Sequence, residues 1–513
     1  MSVAVHNDKI VMPWRDDVAA ILPEARRVEQ SGKFYGVLKH GIVETKLLRN
    51  MGMQVPAPIL TQYKWAGTTP FDSQRETAAM LSTEPRAYCL SSMGVGKTRA
   101  ALYAFDHMRQ TGVAKTMLVV APLSTLVDVW EREVFESFFH LTAVTLHGTK
   151  AQRIKNLAEP ADVYIINHDG VYTILNELIA AKFSVVVVDE LGSYRNAQTR
   201  RWKALNLLIN KQQHHPVVWG LTGSPTPNAP TDAYGQVKLL TPTKVPRSFR
   251  RFQLETMYQV TQFKWLAKAT ANEVVAAAMK PSVRFTLDEC HDIPPTTYSM
   301  RHIEPTALQK QLYKQVFDKF RAEHKGHQIT AVNEGAKLSK LLQISAGFAY
   351  ADGRGAYIDA KARLREVIEL IEQADKKVII FASYKWMIRA LAAVIYKYFS
   401  VEVINGDVPK KERDRIFAQF RRSKDPHVLV AHAGTMAHGL TLVEADTIIW
   451  YGPTMSSELY EQANARIRRP GQESHTHIIC IESTPVEKIA FQRLQKKQKT
   501  QGLLLDMFEG MQE

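Results

Sequence analysis

Four consecutive valines, Val185 to Val188, run directly into two carboxylates, Asp189 and Glu190. No other stretch restricts the fold of this chain so tightly. Valine is stiff at its first side-chain torsion and fits an extended backbone better than a helix. A run with no polar residue on either face suits a strand covered on both sides, and such strands mark parallel sheets flanked by helices. Similar short runs recur at residues 87–90, 117–120, 163–166 and 217–219, with amphipathic stretches between them. Parallel crossovers need connections of helix length, which those stretches supply. A second series follows at residues 378–381, 401–404, 428–430, 447–450 and 478–481. The chain is expected to be α/β, with two parallel sheets.

The 87–90 run opens onto Ser91-Ser92-Met93-Gly94-Val95-Gly96-Lys97-Thr98, and a helical pattern from about Arg99 to Met108 comes next. That order suits a phosphate-binding loop. Backbone N–H groups from Met93 to Gly96 close around phosphates, Lys97 reaches the terminal ones, and the Thr98 hydroxyl ligates Mg²⁺. The start of the helix adds its positive end. Ser91 stands where the strict pattern has glycine. Asp189 and Glu190 lie where ligands collect, at the carboxyl end of a buried strand. Asp189 is suited to hold the Mg²⁺ of a nucleotide and Glu190 to orient and deprotonate the attacking water. Thr222 and Ser224, in the turn after the 217–219 run, are hydroxyls placed to couple the acidic pair to a neighbouring unit. Gln74 carries an amide able to read an adenine edge. Far downstream, Gln462, Arg466 and Arg469 fall at i, i+4 and i+7, one face of a continuous helix. Arginine forks there suit phosphate oxygens and transition-state charge.

Composition narrows the partners. The formal net charge of +15 over 513 residues favours a polyanion, either nucleic acid or an acidic membrane surface. Three widely spaced cysteines argue against a disulfide framework or a zinc cluster and suit a reducing compartment. The start lacks the apolar core of a signal peptide, and no run of about 18 apolar residues occurs, so a cytoplasmic chain is expected. Residues 1–63 carry no chemical motif. Val43, Leu47, Leu48 and Met51 suggest one helix face, and Lys33, Lys39, Lys46 and Arg49 leave two readings open, a DNA-contacting module or a packing appendage. Domain limits are expected at 1–63, 64–285 with a helical insertion near 242–280, and 286–513 with another near 306–345. In the latter, Leu308, Leu312, Val316 and Phe320 recur every four residues.

Taken in order, these pieces resemble a superfamily-two helicase of the Swi/Snf-like group, from about Phe71 to Lys497. Phe71 to Arg75 match the adenine-reading motif, Ser91 to Thr98 motif I, and residues 120–124 with Trp130 motif Ia. Asn167-His168-Asp169 falls at the next DNA-contacting motif. Asp189-Glu190 is motif II, residues 221–228 motif III, 378–383 motif IV, 433–442 motif V and 462–472 motif VI. Leu191 and Gly192 replace the alanine and histidine usual after the acidic pair. The resemblance implies two RecA-like lobes with helical insertions and a small N-terminal module. It places ATP in an inter-lobe cleft, held by Gln74, Arg75, the 93–98 loop, Arg99 and Gly439. Arg466 and Arg469 would reach the phosphates from the second lobe. Pro122, Ser124, Asn167, Ser383 and Thr435 would grip backbone phosphates of duplex or branched DNA without reading sequence. A compact phage or bacterial translocase is implied. An RNA helicase, a strand-separating DNA helicase and an ATP-binding DNA-loading factor are the alternatives.

Overall fold

The four valines of the 185–188 run are fully buried, and their strand, Val185–Asp189, is the central member of a seven-stranded sheet. The protein was analysed as a computed structural model that describes residues 3–6, 8–212, 215–261, 265–290, 292–319, 321–324, 327–330, 334–351, 354–436 and 441–496. From one edge, the strands run Ser282–Val283, Arg86–Cys89, Val217–Leu221, Val185–Asp189, Met117–Ala121, Val163–Asn167 and Ala143–Leu146. Every pair is parallel. Successive residues of a strand face opposite sides, so the sheet feeds two cores. Val185 and Val187 pack with Trp130, Phe138 and Phe105; Val186 and Val188 pack with Leu178, Leu205 and Leu208.

The chain divides into two units, Met1–Cys290 and His291–Glu513. The second has its own six-stranded sheet, ordered Thr296–His302, Thr476–Glu482, Ala445–Trp450, Lys377–Phe381, Val428–Ala431 and Val401–Ile404. It too is parallel throughout and is covered on both faces. The fold class is therefore the expected one. The sequence runs located the inner strands and passed over Ala143–Leu146, Ser282–Val283 and Thr296–His302. Each of these lies at a sheet edge, where one flank stays open and an apolar run is not required.

Residues 1–63 hold more structure than their sequence suggests. Ala4–His6, Lys9–Pro13, Lys33–Lys39 and Arg26–Gln30 form, in that order, an antiparallel sheet. Ile10, Met12 and Leu38 on one face pack with Val18, Leu48, Met53 and Val55. The expected helix is present as Ile42–Asn50, but its buried side is Ile42, Thr45 and Leu48, while Val43 is 54% exposed. Ile42, Thr45 and Leu48 recur at three-residue spacing and make a single stripe, from which Val43 is rotated by about 100°. Arg49 donates to the Val55 carbonyl and to Thr83 Oγ1, at 2.8 and 2.9 Å, and Lys46 is partly buried. Arg49 thus ties this helix to the segments that follow it.

The expected helical insertions also contain hairpins. Helices Phe249–Thr256 and Ala271–Ala278 flank an antiparallel pair, Met257–Gln259 with Trp265–Ala267. Helices Ala307–Lys319 and Glu334–Ser345 flank another, Arg321–His324 with His327–Thr330. Leu312 and Val316 are buried against Leu338, Leu341 and Leu342; Phe320 lies outside the described residues. Among the described residues, no helix is long and apolar enough to cross a membrane.

One ion pair in the second unit is wholly buried. Arg363 donates to both Glu487 oxygens, at 3.1 and 2.9 Å, and also to the carbonyls of Ser345, Tyr451 and Ile481 and to Ser483 Oγ. Glu487 additionally accepts from the Ser483 backbone N–H at 2.8 Å. The guanidinium thus joins helices Glu334–Ser345, Lys361–Glu372 and Pro485–Gln495 to the ends of two strands. Removing one partner strands a buried charge, so Arg363→Ala should destabilise this unit by about 3–5 kcal/mol. Denaturant unfolding checks this, and a loss below about 1 kcal/mol would contradict it.

Candidate active site

Because the first sheet is parallel, the carboxyl ends of its strands share one edge, and the turns that leave them carry the expected chemistry. The central turn is the one after Cys89. Gly94 and Gly96 take positive φ, +85° and +79°, and Gly96 leads into helix Lys97–Gln110. A methyl on Gly96 would come within 2.1 Å of Gln74 Nε2. The torsion favours glycine at that position, and a side chain there would displace the Gln74 amide. Lys97 Nζ donates to the Ser91 and Ser92 carbonyls, at 2.8 and 2.9 Å. Ser91, at the position of the absent glycine, is fully buried, and its hydroxyl accepts from the Phe285 backbone N–H at 3.1 Å. Ser92 N donates to the Phe285 carbonyl at 2.9 Å, so the loop is anchored to the chain beyond the edge strand.

Gln74 is buried, its Oε1 accepts from Phe71 N at 2.9 Å, and its Nε2 faces the Gly96 carbonyl at 3.5 Å. The amide expected to read adenine therefore braces the loop. Arg75 lies over the Trp65 ring at 5.8 Å. Arg99 is committed to Glu133 at 2.6 Å, to Thr68 and to Ser137. Met93, Val95 and Thr98 sit in the loop and first helical turn, with Val95 buried and the other two half-buried.

The acidic pair ends the valine strand, which lies one strand further on, beyond Val217–Leu221. Asp189 Oδ2 accepts from the Trp130 indole N–H at 3.0 Å, and its Oδ1 accepts from Glu190 N at 3.0 Å. Burial pushes the Asp189 carboxyl above its usual range, opposed by the indole bond and by the charge of Lys97. Trp130 lies in a π-helical turn, Leu126–Glu131, an irregularity common at functional sites. Sequence reading placed Trp130 in a motif but missed this bond, because a lone tryptophan gives no sign of where its N–H points. Glu190 adopts left-handed backbone, φ +50°, rare for a residue with a side chain.

The turn after Leu221 closes on the same edge. A methyl on Gly223 would lie 3.7 Å from Lys97 Nζ and 3.4 Å from the Ser91 carbonyl. Thr222 is buried, its N–H donates to the Cys89 carbonyl at 3.0 Å, and its Oγ1 accepts from Ser224 N at 3.3 Å. A methyl on Gly192 would meet the Ser224 carbonyl at 3.5 Å and Thr222 Oγ1 at 3.8 Å, so the second residue after the acidic pair faces the expected coupling turn. Leu191 is accommodated because Gly220, on the next strand, has no side chain. A methyl there would be 2.5 Å from Leu191 Cδ2 and 2.9 Å from Leu240 Cδ2.

Pro122, Ser124 and Asn167 leave two other strands of this sheet at the same edge. Ser124 is exposed, the Pro122 carbonyl accepts from Thr125 Oγ1 at 3.0 Å, and Asn167 Oδ1 accepts from Arg153 at 3.0 Å. In the second unit, Ser383 and Thr435 follow strand ends in the same way. Ser383 Oγ donates to the Pro453 carbonyl at 3.1 Å, and Thr435 Oγ1 donates to the His432 carbonyl at 2.7 Å. Gly439 lies outside the described residues.

The expected continuous helix through Gln462, Arg466 and Arg469 is not formed. Helix Ser457–Asn464 stops before both arginines. Leu442 N donates to the Arg466 carbonyl at 3.0 Å, and Arg469 donates to the Ala465 carbonyl at 3.0 Å and to Thr441 Oγ1 at 3.2 Å. These bonds to the preceding loop turn the chain out of helical register. Gln462 and Arg466 are buried and Arg469 is half-buried, its guanidinium lowered by desolvation to about 10. It stays cationic at neutral pH.

Residues 89–348 match the SNF2-related domain and residues 361–471 the helicase conserved C-terminal domain. The chain belongs to the SNF2-related family. Its matched segments make up an ATP-dependent helicase/translocase core, and the enzyme is an ATP hydrolase. Protein p41 of Acyrthosiphon pisum secondary endosymbiont phage 1 is 25% identical over 453 residues, which cover 82% of this chain and 94% of p41. YwqA of Bacillus subtilis (strain 168) is 27% identical over 435 residues, covering 78% of this chain but 45% of YwqA. Among solved structures, a Sulfolobus solfataricus SWI2/SNF2 ATPase core in complex with double-stranded DNA is 21% identical with a TM-score of 0.42, covering 84% of this chain and 93% of that one.

The Leu191–Gly220 packing is open to test. Gly220→Ala should lower stability by about 1–3 kcal/mol through overpacking, and the double mutant with Leu191→Ala should lose less than the sum of the two single losses. Additive destabilisation in a double-mutant cycle would show that the two positions do not share this space.

Proposed function

We propose that this SNF2-family core moves along duplex DNA, using ATP hydrolysis at the carboxyl edge of the first sheet, with Arg466 and Arg469 completing the site. The observation that carries this reading is the convergence of Lys97, the Asp189–Glu190 pair and the Thr222–Ser224 turn on one sheet edge, in a chain of this family. YwqA bears the name of an ATP-dependent helicase/translocase, and the Sulfolobus core was solved on double-stranded DNA. The net charge of +15 suits the same partner.

The donor set fits a magnesium nucleotide: a glycine loop at a helix start, an amine already facing oxygen atoms, a hydroxyl and a carboxylate. Thr98 and Asp189 would hold Mg²⁺, which when bound neutralises phosphate charge. Lys97 would exchange two neutral carbonyl partners for phosphate oxygens, a stronger charge-assisted bond. The Trp130 indole and Glu190 N hold the Asp189 carboxylate in one orientation, and Glu190 would take the proton of the attacking water. Arg469, partly stripped of water, gains most when an anion restores its lost solvation. Ser124, Asn167, Ser383 and Thr435 would grip backbone phosphates, a contact that positions without specifying sequence. Remodelling or annealing of branched DNA in replication, recombination or repair, within the cytoplasm of a bacterial or phage-infected cell, is the setting this reading favours.

ATP turnover measured with no nucleic acid, duplex DNA, forked DNA, single-stranded DNA and RNA tests the proposal. Duplex or forked DNA should stimulate most; stimulation by RNA alone would overturn it. Lys97→Ala, Glu190→Gln and Arg469→Ala should each lower kcat by about 10²-fold or more with the fold intact. Wild-type turnover in Glu190→Gln would place the base elsewhere. Displacement of a triplex-forming strand by the wild type would report movement along the duplex, and its absence in Glu190→Gln would tie that movement to hydrolysis.

A further inference from the structure

The antiparallel sheet of residues 4–39 buries one face and leaves the other open. The open face is cationic. Pairing places His6 opposite Lys9 and Lys9 opposite Lys39 in one cross-strand row. The next row on that face holds Val11, Val37 and Arg26, and the one beyond it Pro13, Tyr35 and Val28. Lys33 ends the series, opposite Gln30. Lys9, Arg26, Lys33 and Lys39 are all exposed, and Val28 is 45% exposed. Arg27, one residue along, turns to the opposite face and lies 3.8 Å over the Phe34 ring. Glu29 shares that opposite face with Arg27, and among the described strand positions of the open face there is no carboxylate.

Such an arrangement costs stability. Like charges directly opposite each other in a sheet repel, and here Lys9 faces Lys39 with His6 beside them. An anion covering the row would offset the repulsion. From Lys39 to Lys33 the stripe runs six residues along its strand, about 20 Å at strand rise. Arg26 stands between the two ends, with half-buried Tyr35, Val11 and Val37 forming a low apolar floor. Regularly spaced cations over a shallow floor suit a polyphosphate backbone. A membrane surface calls for protruding apolar side chains, and the valines and tyrosine here lie low in the sheet.

We infer that this face is a second DNA-binding surface, separate from the strand-end loops of the two parallel sheets, and that it grips the phosphate backbone of duplex DNA. The inference shares its ligand with the function proposed above, but none of its residues belongs to the ATP site.

The test uses the full chain carrying Lys9→Ala, Arg26→Ala, Lys33→Ala and Lys39→Ala together. Duplex affinity is measured by fluorescence anisotropy across a salt series, and ATP turnover with and without DNA. The variant should bind at least about tenfold more weakly, with a salt slope reduced by about 3.6, since each of four phosphate contacts contributes roughly 0.9. Basal ATP turnover should be unchanged, and the DNA concentration for half-maximal stimulation should rise. Relief of the Lys9–Lys39 repulsion should leave the melting temperature equal or higher. A variant with Lys9→Arg, Lys33→Arg and Lys39→Arg should bind as the wild type does, separating charge from packing.

Unchanged affinity and salt slope in the alanine variant would overturn the inference while leaving the translocase reading intact. Lost binding by a protein whose ATP turnover DNA never stimulates would support this surface and sink the translocase reading. Weakened binding to phosphatidylserine vesicles with unchanged DNA binding would assign the face to membranes and overturn the inference.

Discussion

Parallel strand pairing decides where the candidate site of this protein lies. In each of the two α/β sheets, strands running the same way deliver their carboxyl ends to one edge. Both faces are covered by helices, so the edge is where loops can reach a ligand. The phosphate loop, the acidic pair and the hydroxyl turn are distant in sequence, and adjacent strand order makes them neighbours. Their contacts are specific. Thr222 bonds to the strand that feeds the phosphate loop, and the site of Gly223 lies within van der Waals reach of that loop's lysine.

Buried charge is handled differently in the two units. Arg363 and Glu487 neutralise each other, and their further hydrogen bonds go to backbone and a hydroxyl. Their pair ties structure together. Asp189 has instead an indole N–H, its neighbour's backbone N–H and the field of Lys97. Among the described residues, no cationic side chain forms a salt bridge with Asp189, an arrangement that suits the metal-holding role proposed for it.

Much of this was legible from the residues because strands buried on both faces must be apolar at every position. Val185 to Val188 announce their surroundings directly. Edge strands such as Thr296–His302 carry no such obligation, and their polar sequence concealed them. The N-terminal sheet was hidden by alternation across short strands, where Ile10 and Met12 face the core and Lys9 and Val11 do not. Arg466 and Arg469 were placed on a helix by spacing that is sound locally. Tertiary bonds from Leu442 and Thr441, which spacing cannot reveal, end that helix early. Likewise, the small gap above Gly220 explains Leu191 only once the two strands are seen side by side.

The backbone at Glu190 has an evolutionary consequence. A left-handed torsion costs a side-chain-bearing residue about 1 kcal/mol or more, and glycine occupies the same region without strain. Position 190 is therefore held against its own conformational preference. Under selection for heat tolerance alone, glycine would be the favoured residue there, and the more robust protein that resulted would lack the carboxylate that hydrolysis is proposed to need. Glutamate at this position thus gives up backbone ease for the carboxylate of the proposed reaction.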